Sequence, residues 1–76
     1  MDAVARRRLM WKCKRGLLEL DLVFEKYFER HFDAKDASDL NALLDLPDND
    51  LWDIVSGRSD RYDARFGGIV ARLRAV

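Results

Sequence analysis

Almost nothing in this sequence is equipped to run a reaction. It holds one cysteine, Cys13, and one histidine, His31. No internal disulfide can form, and no second imidazole or thiolate exists to share a metal. No serine or cysteine stands beside a histidine and an acid, and no glycine-rich loop of the phosphate-cradling kind occurs. An enzyme is the least favoured class, and neither catalytic nor metal-ligating residues are expected. Cys13 reads as a small buried side chain and His31 as a structural residue near a helix C-terminus, where its charge suits the dipole. No apolar run approaches the roughly 20 residues of a membrane-spanning helix. With no signal peptide and a free cysteine, the simplest expectation is a cytoplasmic protein that does not insert into a membrane.

What is present is charge in equal amounts and a strong helical rhythm. Fourteen basic and fourteen acidic side chains among 76 residues give no net charge, so no overall pull towards nucleic acid or anionic lipid is expected. The distribution is uneven. Arg6, Arg7, Arg8, Lys12, Lys14 and Arg15 make the N-terminal part basic, whereas Asp33 to Asp53 carries only Lys35 against its aspartates. This predicts a basic end and an acidic end. A nucleic-acid-binding module using the basic end is one reading, and the acidic stretch counts against it. A chain of this length supports one domain, 1–76, with a small core.

The apolar spacing predicts helices and no strands. Val4 to Lys14 forms the first, with Ala5, Leu9 and Cys13 on one side. The second runs from Leu17 to about His31, and Leu17, Leu20, Phe24, Tyr27 and Phe28 make its apolar stripe. Leu18 and Leu22 fall off that stripe, so either another helix covers them or they face a partner. Asp36 and Ser38 are candidate N-caps for a short third helix burying Leu40, Leu43 and Leu44. Pro47 separates it from a fourth that begins at Asp48, buries Leu51, Ile54 and Val55, and stops at Gly57. Arg58 to Asp63 reads as a loop. A last helix carries Phe66, Ile69, Val70 and Leu73, and the adjacent Gly67 and Gly68 allow close packing or mark a weak first turn. The expected architecture is an all-α bundle of about five short helices.

The stretch from Leu9 to Leu22, LMWKCKRGLLELDL, is the centre of the functional reading. Gly16 lies between two helical segments, where a left-handed residue ends the first. Arg15 precedes it and Glu19 follows three residues later. Both suit their helix ends through the macrodipole alone. Trp11 reads either as a core residue under another helix or, by helical spacing, as an indole beside the Arg15 guanidinium. Asp21 borders the apolar face and is expected to bond a neighbouring backbone group. An aromatic, two opposite charges and a bare backbone spot on one corner make an interface anchor: a partner backbone can approach Gly16 while Arg15 and Glu19 bond to it.

The run Trp11, Cys13, Arg15, Gly16, Glu19, Leu20, Asp21 resembles the W-x-C-[KR]-R-G-x-x-E-L-D signature of the succinate dehydrogenase flavinylation factors. The later residues Leu43, Leu44, Asp48, Asp50, Leu51, Trp52 and Gly57 are similar to that family's second stretch. The segment from Phe32 to Leu43 is shorter than the family pattern by about one helical turn. The resemblance implies a small helical assembly factor that binds the flavoprotein subunit of succinate dehydrogenase, in some members also that of fumarate reductase. Its implied role is to promote covalent attachment of FAD to a histidine of that subunit. Arg15, Gly16 and Glu19 would form the contact surface, with Trp11 and Asp21 beside them. The factor itself would hold no FAD stably, since the chain has no dinucleotide fingerprint. The competing reading is a generic helical adaptor using the same corner.

Overall fold

A computed structural model describes residues 3–76. Met1 and Asp2, which fall within the expected domain, lie outside the described residues. Five α-helices follow in order: α1 (Ala3–Lys12), α2 (Leu18–Arg30), α3 (Ala37–Leu43), α4 (Asp48–Val55) and α5 (Gly67–Arg74). Single 3-10 turns at Ala34–Asp36 and Ala64–Phe66 lead into α3 and α5. There is no strand among the described residues, and the expected all-α bundle stands.

α2 is the central element because its apolar residues recur at three and four and so share one face. Leu20, Phe24, Tyr27 and Phe28 are all buried. They join Leu40, Leu43, Leu44, Leu51, Ile54, Val55, Ile69, Val70 and Leu73 in one core cluster, to which α1 contributes Leu9. Tyr27 also meets Phe28 and Phe32 edge-on, with ring centroids 5.4 and 6.1 Å away. Arg6 of α1 lies over Phe28 and Phe32, its guanidinium carbon 5.8 and 5.4 Å from the ring centres. The first helix is thereby held to the far end of α2 by a cation on aromatic faces.

Three expectations are corrected. α1 ends at Lys12, two residues early, because the Cys13 and Lys14 amides turn back onto the carbonyls of Met10 and Trp11. Gly16 does have a positive φ, +78°. It turns the connection between α1 and α2, however, and does not close the last turn of α1. The capping of the third-helix region falls to Asp33, whose Oδ1 accepts from the Lys35 amide at 2.9 Å. Asp36 does stand at the N-cap position of α3, but its side chain is buried and makes no cap bond, and Ser38 is an exposed residue within α3.

The basic and acidic segments are also not opposite ends. Lys12 pairs with Asp45 at 2.6 Å, and Arg15 with Asp48. Further along, Arg65 pairs with Asp39 and Arg72 with Asp36. Gly67 and Gly68 occupy the first turn of α5. A Cβ at Gly67 would meet nothing within 4 Å, and one at Gly68 only the Arg72 side chain. They mark a bent first turn after the 3-10 residues, not a close helix contact.

Candidate partner-binding corner

The corner is built by the five residues from Cys13 to Leu17 that join α1 to α2. Asp21, in the first turns of α2, reaches back so that its Oδ1 accepts from the Arg15 amide at 3.1 Å. This is the backbone bond expected of it. Beside it, Leu17 packs partly buried against the core. A Cβ at Gly16 would meet nothing within 4 Å. The glycine is therefore required by its left-handed backbone, which costs other L-residues about 1–2 kcal/mol, and its outer surface is open.

Arg15 turns inward. Its Nε–H donates to Asp48 Oδ1, its Nη2 donates to the carbonyls of Leu44 and Leu46 at 2.8 and 2.7 Å, and its Nη1 donates to the Lys12 carbonyl at 3.2 Å. Only 15% of the side chain is exposed. The helix α3 leaves carbonyls without intrahelical partners at its C-terminal end. Arg15 satisfies that end, and Lys12 does the same one turn earlier, donating to the Asn41 carbonyl at 3.0 Å. Two cations from the first helix and corner thus fasten the α3–α4 connection.

Trp11 is neither in the core nor beside Arg15. It is 67% exposed, and the cation over its ring is Lys14, with Nζ 5.0 Å from the centroid. The helix stops at Lys12, so Arg15 leaves the face that helical spacing assigned to it. Leu18 and Leu22 are 67% and 48% exposed. The expectation of a covering helix is not met at either position. Glu19 is exposed on the first turn of α2.

A groove of about 420 Å³ separates α1 from α2 next to the corner. Cys13, Phe24 and Phe28 are its buried residues, with Met10, Lys14, Asp21 and Glu25 around them. Burial pushes the Cys13 thiol up from 9.0 to about 12, the Arg15 charge opposing the rise. At neutral pH it is a protonated packing residue, not a nucleophile. No group of three His, Cys, Asp or Glu suited to a metal occurs among the described residues. No helix there is long and apolar enough to cross a membrane.

The corner therefore sorts the sequence-derived site residues into two sets. Arg15 and Asp21 fix its backbone from inside. Gly16, Glu19 and Trp11 are exposed, as are Leu18 and Leu22. Sequence reading missed Asp48 and the Leu44 and Leu46 carbonyls. They lie about 30 residues from Arg15, beyond any local spacing rule.

The model of the Sdh5 family, described as the flavinator of succinate dehydrogenase, matches residues 7–76. The FAD assembly factor SdhE of Methylococcus capsulatus is 39% identical over 74 residues, covering 93% of this chain and 89% of that protein. The FAD assembly factor SdhE of Ralstonia nicotianae is 40% identical over 82 residues, covering 99% and 86%. That of Coxiella burnetii is 32% identical over 78 residues, covering 99% and 95%. No solved structure gives a significant match. A match spanning both the corner and the α3–α4 connection that it grips places this chain in the Sdh5 family of succinate dehydrogenase flavinators.

Proposed function

We propose that this chain binds the flavoprotein subunit of succinate dehydrogenase and promotes covalent attachment of FAD to that subunit, acting as an assembly factor and not as an enzyme. The same corner would serve a fumarate reductase flavoprotein. The observation that carries the reading is the exposure of Trp11, Leu18, Glu19 and Leu22 in the stretch that contains an open Gly16, in a chain that belongs to the flavinator family. Exposed aromatic and aliphatic groups beside a charge make an anchor for a protein partner.

Covalent attachment would require the flavin to lose a proton from its 8α-methyl and a histidine nitrogen of the partner to add to the resulting methylene, which would leave a two-electron-reduced ring for an external electron acceptor to reoxidise. That step needs orientation and stabilisation of negative charge developing on the isoalloxazine ring. A factor with no reactive group accelerates it by binding best to the subunit conformation in which flavin and histidine are correctly placed. FAD stays with the partner, and this chain holds none stably. The pairing of Arg15 and Asp21 with their own backbone supports this division of labour, since a preformed corner loses little freedom on binding.

In-gel flavin fluorescence of the denatured flavoprotein tests the reading, because denaturation removes non-covalent flavin. Cells lacking this chain should show a weak band. Wild type should restore it, and Glu19→Ala and Gly16→Arg should not. An unchanged band in the deletion strain would sink the proposal.

A further inference from the structure

The Arg15 guanidinium, which the interface reading assigns to a partner, already makes four hydrogen bonds within its own chain. A planar guanidinium holds its donors in a fixed fork, here spread over one carboxylate and three carbonyls, whereas the three donors of an ammonium turn freely on a flexible stem. Asp48 holds the Nε side of that fork, while Leu44 and Leu46 hold Nη2. Asp48 has no role in the folding of α4 that explains this. The N-cap position belongs to Pro47, and no side-chain cap bond is made there. A first-turn acid does favour the helix dipole, but Asp50 supplies that equally.

We propose that Asp48 is a positioning residue of the binding corner: it acts through Arg15, holding the guanidinium on the α3–α4 connection so that Gly16 and Glu19 meet the partner at a fixed angle. The proposal rests on the functional reading above and reassigns one part of it. Arg15 serves the interface from behind, and the direct contacts are left to the exposed residues. The α3–α4 connection becomes part of the site without touching the partner. Asp48 is 44% exposed at its side chain, and removing its charge leaves the Arg15 guanidinium on three carbonyls.

The test is a double-mutant cycle on the intact chain: wild type, Asp48→Asn, Arg15→Lys and the double variant, with Asp50→Asn as the control for the helix dipole. Affinity for the apo flavoprotein subunit of succinate dehydrogenase is measured at a temperature where circular dichroism shows every variant fully folded. A purely structural defect leaves that affinity unchanged. Asp48→Asn should weaken binding roughly three- to tenfold, Arg15→Lys by a similar factor, and the double variant no more than the weaker single, as expected of coupled neighbours. Asp50→Asn should bind as wild type does. Losses that multiply, or an Asp48→Asn variant indistinguishable from Asp50→Asn beside a defective Arg15→Lys, would show that Arg15 meets the partner directly and overturn the inference alone. If wild type has no measurable affinity for the subunit, the functional reading fails and takes this inference with it.

Discussion

Of the arginine–aspartate pairs among the described residues, those of Arg72 and Arg15 have the least exposed members, and they differ in what lies outside them. In the first, Arg72 of α5 bonds Asp36 through both Nε and Nη2, and the Tyr27 hydroxyl donates to Asp36 Oδ2 at 3.1 Å. Asp36 is 5% exposed and Tyr27 fully buried. The clamp ties α2, the 3-10 turn before α3, and α5 into one packed centre. In the second, Arg15 grips Asp48 and two carbonyls, and the stretch of sequence on either side of it carries the exposed Trp11, Leu18, Glu19 and Leu22. The first clamp closes a core. The second fixes a backbone whose neighbours in sequence, Trp11, Leu18 and Leu22, are exposed apolar side chains.

The largest expected effect breaks the inner clamp. Asp36→Ala strands the Tyr27 hydroxyl and frees Arg72. Removing one partner of a buried charged pair is costly, and partial exposure of Arg72 reduces the penalty to about 2–3 kcal/mol. A chain of 76 residues has roughly 4–11 kcal/mol in total. The urea midpoint should therefore fall steeply, and with little stability to spare the variant unfolds at modest urea. Asp48→Ala at the outer clamp should cost less, about 1–2 kcal/mol, because it strands no hydroxyl and leaves the largely buried Arg15 guanidinium bonded to three carbonyls. Equal losses would mean that the two clamps are structurally equivalent, and the contrast drawn between them would fail.

A second prediction compares the titratable groups that each clamp shelters. Cys13 beneath the corner is raised by burial from 9.0 to about 12. Tyr27 in the inner clamp is raised above its usual 10.0 by burial and then by the Asp36 charge. For both, the folded pKa lies above the unfolded one. The stability they contribute is fully present below the unfolded pKa and is lost as pH rises towards the folded one. Cys13 begins to lose it first, from pH 9 upward, at about 1.4 kcal/mol per pH unit. Between about pH 8 and pH 10 the wild-type urea midpoint should decline while that of Cys13→Ala stays nearly level. Parallel slopes would mean that the thiol is not sheltered.

Much of this organisation is legible in the sequence, and the illegible part has one physical origin. The apolar stripes of α2, α3, α4 and α5 follow local periodicity, so Leu20, Phe24, Leu40, Leu51 and Leu73 are placed correctly from spacing alone. Gly16 announces its left-handed backbone, and Leu18 and Leu22 their failure to join the stripe. The surroundings of Arg15 and Asp36 are not legible because they are set by residues about 30 or more positions away, Leu44, Leu46 and Asp48 for the one and Arg72 for the other. A charged side chain at a helix end satisfies the dipole in the same way whether it points to solvent, to a partner or to another helix. Only packing decides which. Trp11 shows the converse, since a large aromatic is presumed core until the helix is seen to end one residue beyond it.

The smallest effect separates backbone need from surface need at two matched glycines. Gly16 and Gly57 have φ of +78° and +88°, and a Cβ at either would meet nothing within 4 Å. Alanine at each position should cost about 1 kcal/mol from left-handed strain alone, so the two variants should share a urea midpoint. Gly57 ends α4 away from the corner, whereas Gly16 lies among the exposed residues that the partner is proposed to meet. Covalent flavin on the flavoprotein subunit should therefore fall for Gly16→Ala and not for Gly57→Ala, although the two are equally destabilised. Gly16→Asn refines this further. Asparagine tolerates the left-handed region, so the fold should be largely restored while a side chain still stands where a partner backbone approaches. Recovery of stability without recovery of covalent flavin would locate the need for glycine in the interface. Recovery of both would locate it in the backbone, and the open surface at Gly16 would then be incidental to binding.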